Sequence, residues 1–363
     1  MKPEPRKQSK MQLIPAPSVQ SAKVRKLLTA MGALGLGAAI FFLCQPAEPV
    51  YNGKKLTEWQ DQWAAGSHDG STASAERLGS YREALQAIGT NSIPYGVRNL
   101  ALNDSRCRTD YARLQTKLPR LLQKLFPKPK PLLQEADGAN MFLYIGSNSL
   151  PCAIALLNDP SPTVRRAAAW GIAGLRRQSP SAKQGIPALI DALADRDEKV
   201  RYYSVISLQE MGPDASNAVP ALTKALADVG VGSQTNSRYN LRAAAAHALG
   251  RIGPPAATAL PELKTALAAP NPYLRGQTAV AIWRIDADVN LALPVLLQEM
   301  PGTIEDSKWD WIIALGEMGP RATNAVPQLK IELQKDHKKW VLNYVTNALK
   351  RISPADVPDA RVK

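Results

Sequence analysis

Apolar positions in this chain recur around a set of prolines. Pro151, Pro187, Pro220, Pro261, Pro294 and Pro327 each follow an apolar residue: Leu150, Ile186, Val219, Leu260, Leu293 and Val326. Two residues after each proline stand Ala153, Leu189, Leu222, Leu263, Leu296 and Leu329, and six after it Leu157, Leu193, Leu226, Leu267, Met300 and Leu333. Offsets of −1, +2 and +6 lie on one face of a helix. The pattern predicts a helix A in each unit, with the proline near its start, where a missing N–H costs least.

A second anchor moves in step with the first. Arg165, Arg201, Arg242, Arg275 and Lys308 are spaced by 36, 41, 33 and 33 residues, against 36, 33, 41, 33 and 33 for the prolines. Ten residues after each basic residue comes Leu175, Met211, Ile252, Ile285 or Met318, followed at once by glycine in three of five units (Gly212, Gly253, Gly319). In VRRAAAWGIAGL, Val164, Ala167, Ala168, Gly171, Ile172 and Leu175 share one helical face. This is a helix B, and the glycine is its stop. Two anchors with matched spacing identify a repeat. The eight extra residues of the longest interval fall near VGVGSQTNSR, 229–238, a loop composition.

The segments DPSPTVRRAAAWGIAGL, NLRAAAAHALGRIGPPAATALPEL and ALGEMGPRATNAVPQL resemble the HEAT family, in particular its short bacterial HEAT-like or PBS-lyase repeats. The resemblance covers 141–352 and extends weakly to YREALQAIGTNSIPYGVRNL at 81–100. It implies an all-α fold, a right-handed α-solenoid of about six to eight stacked helical hairpins with an extended binding surface. It also implies an inter-repeat ladder that pairs Asp159, Asp195 and Asp228 with the basic anchors Arg165, Arg201, Arg242, Arg275 and Lys308. YNGKKLTEWQDQW, 51–63, resembles the opening segment of membrane-anchored HEAT proteins, with Trp59 and Trp63 expected on the first helices. The array is expected to be capped near 352 and followed by a disordered tail, 353–363.

The front of the chain has a different character. Residues 27–44, LLTAMGALGLGAAIFFLC, are uncharged and almost wholly apolar, and a membrane-spanning helix needs roughly 17–25 such residues. Lys23, Arg25 and Lys26 precede the run, and no positive charge follows until Lys54. The asymmetry predicts a single transmembrane signal anchor in the inner membrane, with a disordered basic leader (1–26) in the cytoplasm and the array outside it. A cleaved signal peptide is the alternative.

Charge then narrows the function. The net charge is +14, of which 1–26 and 104–130 contribute +6 each, so the rest sums to +2. A near-neutral array argues against a nucleic-acid groove. Within the region 51–140, Arg113, Lys117, Arg120 and Lys124 decorate a leucine stripe that either lies on anionic lipid or packs on the array. Of the three cysteines, Cys107 and Cys152 are the one pair that could bridge, or both stay as thiols.

Only three histidines occur (His68, His247, His337), none is followed by Glu, and no Walker loop or G-x-S-x-G motif is present. His247 falls in an apolar slot of helix B and reads as a packed core residue. No catalytic residue, metal or cofactor is expected. The sequence reading is a membrane-anchored scaffold for a protein partner, with candidate contacts at Gly230, Gln234, Asn236 and Arg238 of the loop, at the basic stripe, and at Trp309 and Trp340. The alternatives are an enzyme of the HEAT-like bilin lyase kind and a nucleic-acid-binding array.

Overall fold

The computed structural model describes residues 48–64, 72–104, 110, 113, 135–228, 240–302, 305–335 and 339–357. The leader, the apolar run 27–44, Lys117, Arg120, Lys124, Cys107 and the loop residues Gly230, Gln234, Asn236 and Arg238 lie outside them, as do residues 358–363 of the expected tail 353–363. The first part of that tail is not disordered, since Pro354–Asp356 forms a 3₁₀ turn held by Lys330 on Asp356. Among the described residues no helix is long and apolar enough to cross a membrane.

The described chain is a stack of helical pairs. It runs α1 (Leu56–Ala64), α2 (Thr72–Ile88), α3 (Ile93–Ala101), α4 (Glu135–Ile145), α5 (Leu150–Leu156), α6 (Pro162–Gln178), α7 (Ile186–Ala192) and α8 (Glu198–Met211). It continues with α9 (Val219–Ala227), α10 (Leu241–Ile252), α11 (Leu260–Ala266), α12 (Pro272–Asp286), α13 (Val289–Glu299), α14 (Glu305–Met318), α15 (Val326–Gln334) and α16 (Lys339–Ile352). From α2 onward the even-numbered helices are B helices and the odd-numbered ones are A helices. Each B helix from α4 packs along the next, and the A helices lie against the B helices. The result is a solenoid-like helical repeat array.

Local chemistry sets where each helix begins and ends. The side chains of Ser161, Asp197, Asn240 and Asn271 accept hydrogen bonds from the N–H of Val164, Val200, Ala243 and Leu274 at 3.0–3.2 Å, capping α6, α8, α10 and α12. At the far end, Gly212, Gly253 and Gly319 have φ of +58°, +78° and +61°, which L side chains rarely adopt. Each opens a 3₁₀ turn (Gly212–Ala218, Pro254–Ala259, Gly319–Ala325 with the glycine at or just before its start), and the A helix follows with proline as its second residue.

The B helices approach closely because small residues stand at their crossings. A Cβ on Gly250 would lie 2.8 Å from Ala281 Cα, and one on Gly316 would lie 3.0 Å from Ala348 Cα. The apolar face of α6 is fully used, with Val164, Ala167, Ala168, Ile172 and Leu175 all buried. Small residues at these contacts let neighbouring B helices approach closely.

Three further expectations are corrected. First, the chain is not wholly helical: Val50–Tyr51 and Lys54–Lys55 pair as an antiparallel hairpin around Asn52 and Gly53, both at positive φ. Trp59 packs on that hairpin, its Nε1 donating to Tyr51 O at 3.1 Å with Lys54 Nζ 4.6 Å above the ring. The Trp63 side chain lies outside the described residues. Second, Pro294 does not open a helix. The Gly-Pro stop is missing after Ile285; Ala287 turns the chain at φ +54°, Asp288 caps Leu291 N at 3.1 Å, and α13 starts at Val289 with Pro294 inside it. Third, His247 is buried as a packed residue would be, but it packs beside the Asp310 carboxylate rather than among apolar groups alone.

Candidate interaction surface

Rows of side chains one helix apart meet at the B face. Counted from the basic anchor, Trp170 and His247 share position +5, Tyr203 and Asp310 position +2, and Arg251, Arg284 and Glu317 position +9. These offsets fall on one side of a helix, so successive B helices present them side by side. Trp170 on α6 lies over Tyr203 on α8 with centroids 5.1 Å apart and planes within 5°, and Tyr202 meets Tyr203 edge-on at 5.7 Å.

At the other end of the same face, Trp309 on α14 is 6.5 Å from Tyr344 on α16, and Trp340 is 6.1 Å from Tyr344 in a T-shaped contact. The structure therefore brings Trp309 and Trp340 together through Tyr344, a residue that the sequence reading did not single out although it stands four after Trp340. Trp170, Trp309, Trp340 and Tyr344 are 37–39 % exposed, unusual for rings of this size in a structured helix face.

Beside the aromatic patch is a buried polar cluster. His247 Nε2 lies 3.3 Å from Asp310 Oδ2, and the Trp309 ring is 6.4 Å from the imidazole. Arg284 of α12 donates to Asp310 Oδ1 at 2.9 Å and reaches Glu317 at 3.2 Å. Asp310 is 2 % exposed and His247 8 %. Burial pushes the His247 imidazole below its ordinary value; Asp310 opposes this, and Arg284 and Arg251 reinforce it. His247 is thus buried and neutral near pH 7, but set against a carboxylate two units along the chain.

The ladder residues sit at the starts of the B helices, with their Asp partners in the turns that precede those helices. Arg165 grips Asp195 with two hydrogen bonds, Nε to Oδ2 at 2.7 Å and Nη2 to Oδ1 at 2.8 Å, and its Nη1 donates to the carbonyls of Asp159 and Pro160. Burial alone would raise the Asp195 carboxyl, but Arg165 and the Asp197 N–H hold it below the usual carboxylate range. Arg166 makes a parallel pair with Asp197, whose side chain also caps α8. Asp159 itself accepts from Ser161 N at 2.8 Å.

Further along, Arg201 donates to Asp195 O at 2.9 Å and Arg242 to Leu226 O at 2.7 Å. Arg275 takes Glu299 at 2.8 Å, a carboxylate that the sequence reading missed because it stands five residues after its proline, whereas Asp159, Asp195 and Asp228 each stand eight after theirs. Asp228 influences Arg242 electrostatically. Lys308 belongs to α14, but its side chain lies outside the described residues. Of the basic stripe, only Arg113 is described: it is exposed and 3.9 Å from Asp110. Among the described residues no group of three or more His, Cys, Asp or Glu could hold a metal ion.

Residues 150–230 match the family model of HEAT repeats. That span runs from α5 through α9. No curated protein matches the chain. Among solved structures, the complex of CpcE and CpcF of phycocyanin lyase from Nostoc sp. PCC7120 is 22 % identical, with a TM-score of 0.43 over 62 % of this chain and 98 % of that one. A designed armadillo repeat protein is 17 % identical with a TM-score of 0.39, over 56 % of this chain and 99 % of its own. The Kap95:Nup1 complex is 15 % identical with a TM-score of 0.43, over 90 % of this chain and 44 % of the other. At these scores the likeness carries nothing further about this chain.

Proposed function

We propose that this chain is a non-catalytic scaffold that binds a protein partner along the B face of its repeat array. The observation that carries this reading is the set of four exposed rings, Trp170, Trp309, Trp340 and Tyr344, on one face of a helix stack. Aromatic residues are enriched where proteins meet, because they bury large areas at little entropic cost. The neighbouring pair of Arg284 with Glu317, the latter a third exposed, supplies mixed charge beside the rings rather than a uniform field.

The reading includes a membrane tether at 27–44, supported by the length and apolarity of that run and by the three basic residues just before it. The array then stands on the extracytoplasmic side. A periplasmic reporter fused after residue 363 tests this side, with activity expected there and not from a cytoplasmic reporter.

A photoreactive amino acid placed at 170 or 309 in the full chain tests the face. Crosslinking in cells to the same protein from both positions is expected. The control position is Ile331, which is 48 % exposed on the A helix α15. Equal crosslinking from 331, or none from 170 and 309, would overturn the B-face reading.

A further inference from the structure

The B-face reading can be narrowed to one end of the array and to one partner chemistry. Between α14 and α16 lies a cavity of about 470 Å³, lined by Ile313, Gly316, Tyr344, Asn347, Lys350 and Arg351 among others. Its floor is apolar, and Ala348 and Gly316 meet beneath it. Residues 340, 344, 347 and 351 are spaced i, i+4, i+7 and i+11, so α16 presents Trp340, Tyr344, Asn347 and Arg351 as one exposed stripe.

Charge is divided sharply across α14. Its two nearby carboxylates, Asp310 and Glu317, are both engaged by Arg284 on the α12 side. On the α16 side, Lys350 and Arg351 are exposed, and no ion pair joins either to a carboxylate among the described residues. The cavity therefore combines an apolar floor, an aromatic wall and a cationic rim.

We infer that this cavity docks an acidic segment of a partner protein, with one aromatic or large aliphatic side chain inserted between Ile313 and Tyr344 and Asp or Glu set against Lys350 and Arg351. The aromatic surface continues out of the cavity onto Trp309 and Trp340, further than one small molecule reaches, so the occupant is a chain. A nucleic-acid strand would also value rings and cations. Here Glu317, a third exposed at the same surface, and the near-neutral array disfavour a phosphate backbone. The inference rests on the B-face reading, and the test separates the two.

The experiment selects random peptides of about twelve residues, long enough to cross a groove in extended form, by display on the full chain. The best peptide is then titrated by fluorescence anisotropy. Enrichment of peptides that join an aromatic or Leu to Asp or Glu is expected. Tyr344→Ala and Arg351→Glu should each weaken binding roughly tenfold or more, while circular dichroism shows an unchanged melting transition. A peptide with Lys in place of its acids should fail on the native chain and regain binding on the Arg351→Glu chain. That rescue is not expected of a merely structural arginine.

Enrichment of basic peptides, no enrichment, or displacement by oligo-dT at lower concentration than free peptide overturns the proposal. Peptides sensitive to Trp170→Ala but not to Tyr344→Ala or Arg351→Glu overturn it while leaving the B-face reading in place. Peptides indifferent to all three substitutions overturn both.

Discussion

A Cβ on Gly276 would lie 2.0 Å from Cζ2 of the Trp311 indole. Trp311 is the largest fully buried side chain described, stacked on Tyr273 with centroids 6.4 Å apart. Gly276 leaves the room on α12 for that ring, and the same close approach sets α14 where Asp310 meets His247 and Arg284. Gly276→Ala should therefore cost about 1–3 kcal/mol through overpacking. Gly79→Ala, in α2 with nothing within 4 Å of the added carbon, should gain about 0.5–1 kcal/mol. Urea titration of both variants checks the contrast.

Removing one partner of the Arg165–Asp195 pair should be among the most damaging single changes. The Arg165 side chain is 6 % exposed and that of Asp195 12 %, so Asp195→Ala leaves a buried cation without its counter-charge, at about 3–5 kcal/mol. The double variant Arg165→Met with Asp195→Leu should recover most of that loss. A double-mutant cycle on denaturation free energies gives the coupling; a simple sum of the single effects would contradict the pairing.

Stability should fall on mild acidification, and His247 should carry part of the fall. Its folded pKa is depressed by burial, so below the unfolded value of about 6.5 the unfolded chain binds the proton more readily. The loss begins as pH drops through that value and is complete once pH is below the folded pKa. His247→Gln should flatten the melting temperature between about pH 7 and about pH 5. Asp195 acts lower: its folded pKa is depressed, so its contribution is present above the ordinary carboxylate range and disappears as pH falls through the folded value. Calorimetry across pH resolves the two windows.

Pro294 is a liability in its helix. It sits inside α13, where its ring displaces a backbone hydrogen bond at a cost near 3 kcal/mol, offset by about 0.4–1 kcal/mol from a stiffer unfolded chain. Pro294→Ala should raise stability by about 2–2.5 kcal/mol. Pro220→Ala, at the second position of α9, should lower it slightly. Melting temperatures of the two variants should move in opposite directions.

The A and B helices, their stops and the proline starts were legible because each depends on local spacing or on a φ that glycine alone adopts readily. What the spacing hid were substitutions within the pattern. At 286–288 Asp-Ala-Asp replaces the Gly-Pro stop, and the helix start moved upstream of Pro294. Tyr51-Asn52-Gly53-Lys54 did carry a hairpin signal, but its strands are only two residues each. Within the candidate surface, Trp309 and Trp340 stood out as rings, and Tyr344 could have been found by its i+4 spacing. The contact of His247 with Asp310 could not, since it joins B helices two units apart and depends on how closely α12 and α14 nest.

The Arg165 contact also gives the array a direction in time. Arg165 precedes Asp195 by thirty residues, and Arg275 precedes Glu299 by twenty-four. A chain made from its N-terminus thus releases these two guanidinium groups before the acids that neutralise them have been synthesised, unlike Arg201 and Arg242, which bond to carbonyls that precede them. Those two units emerge with the ion pair unfinished, and the following segment completes it. A nascent or truncated chain that stops after α6 exposes a buried cation at its growing end, whereas one that stops after Asp195 does not. A truncation just beyond a ladder carboxylate therefore keeps an ion pair that a truncation just before it loses.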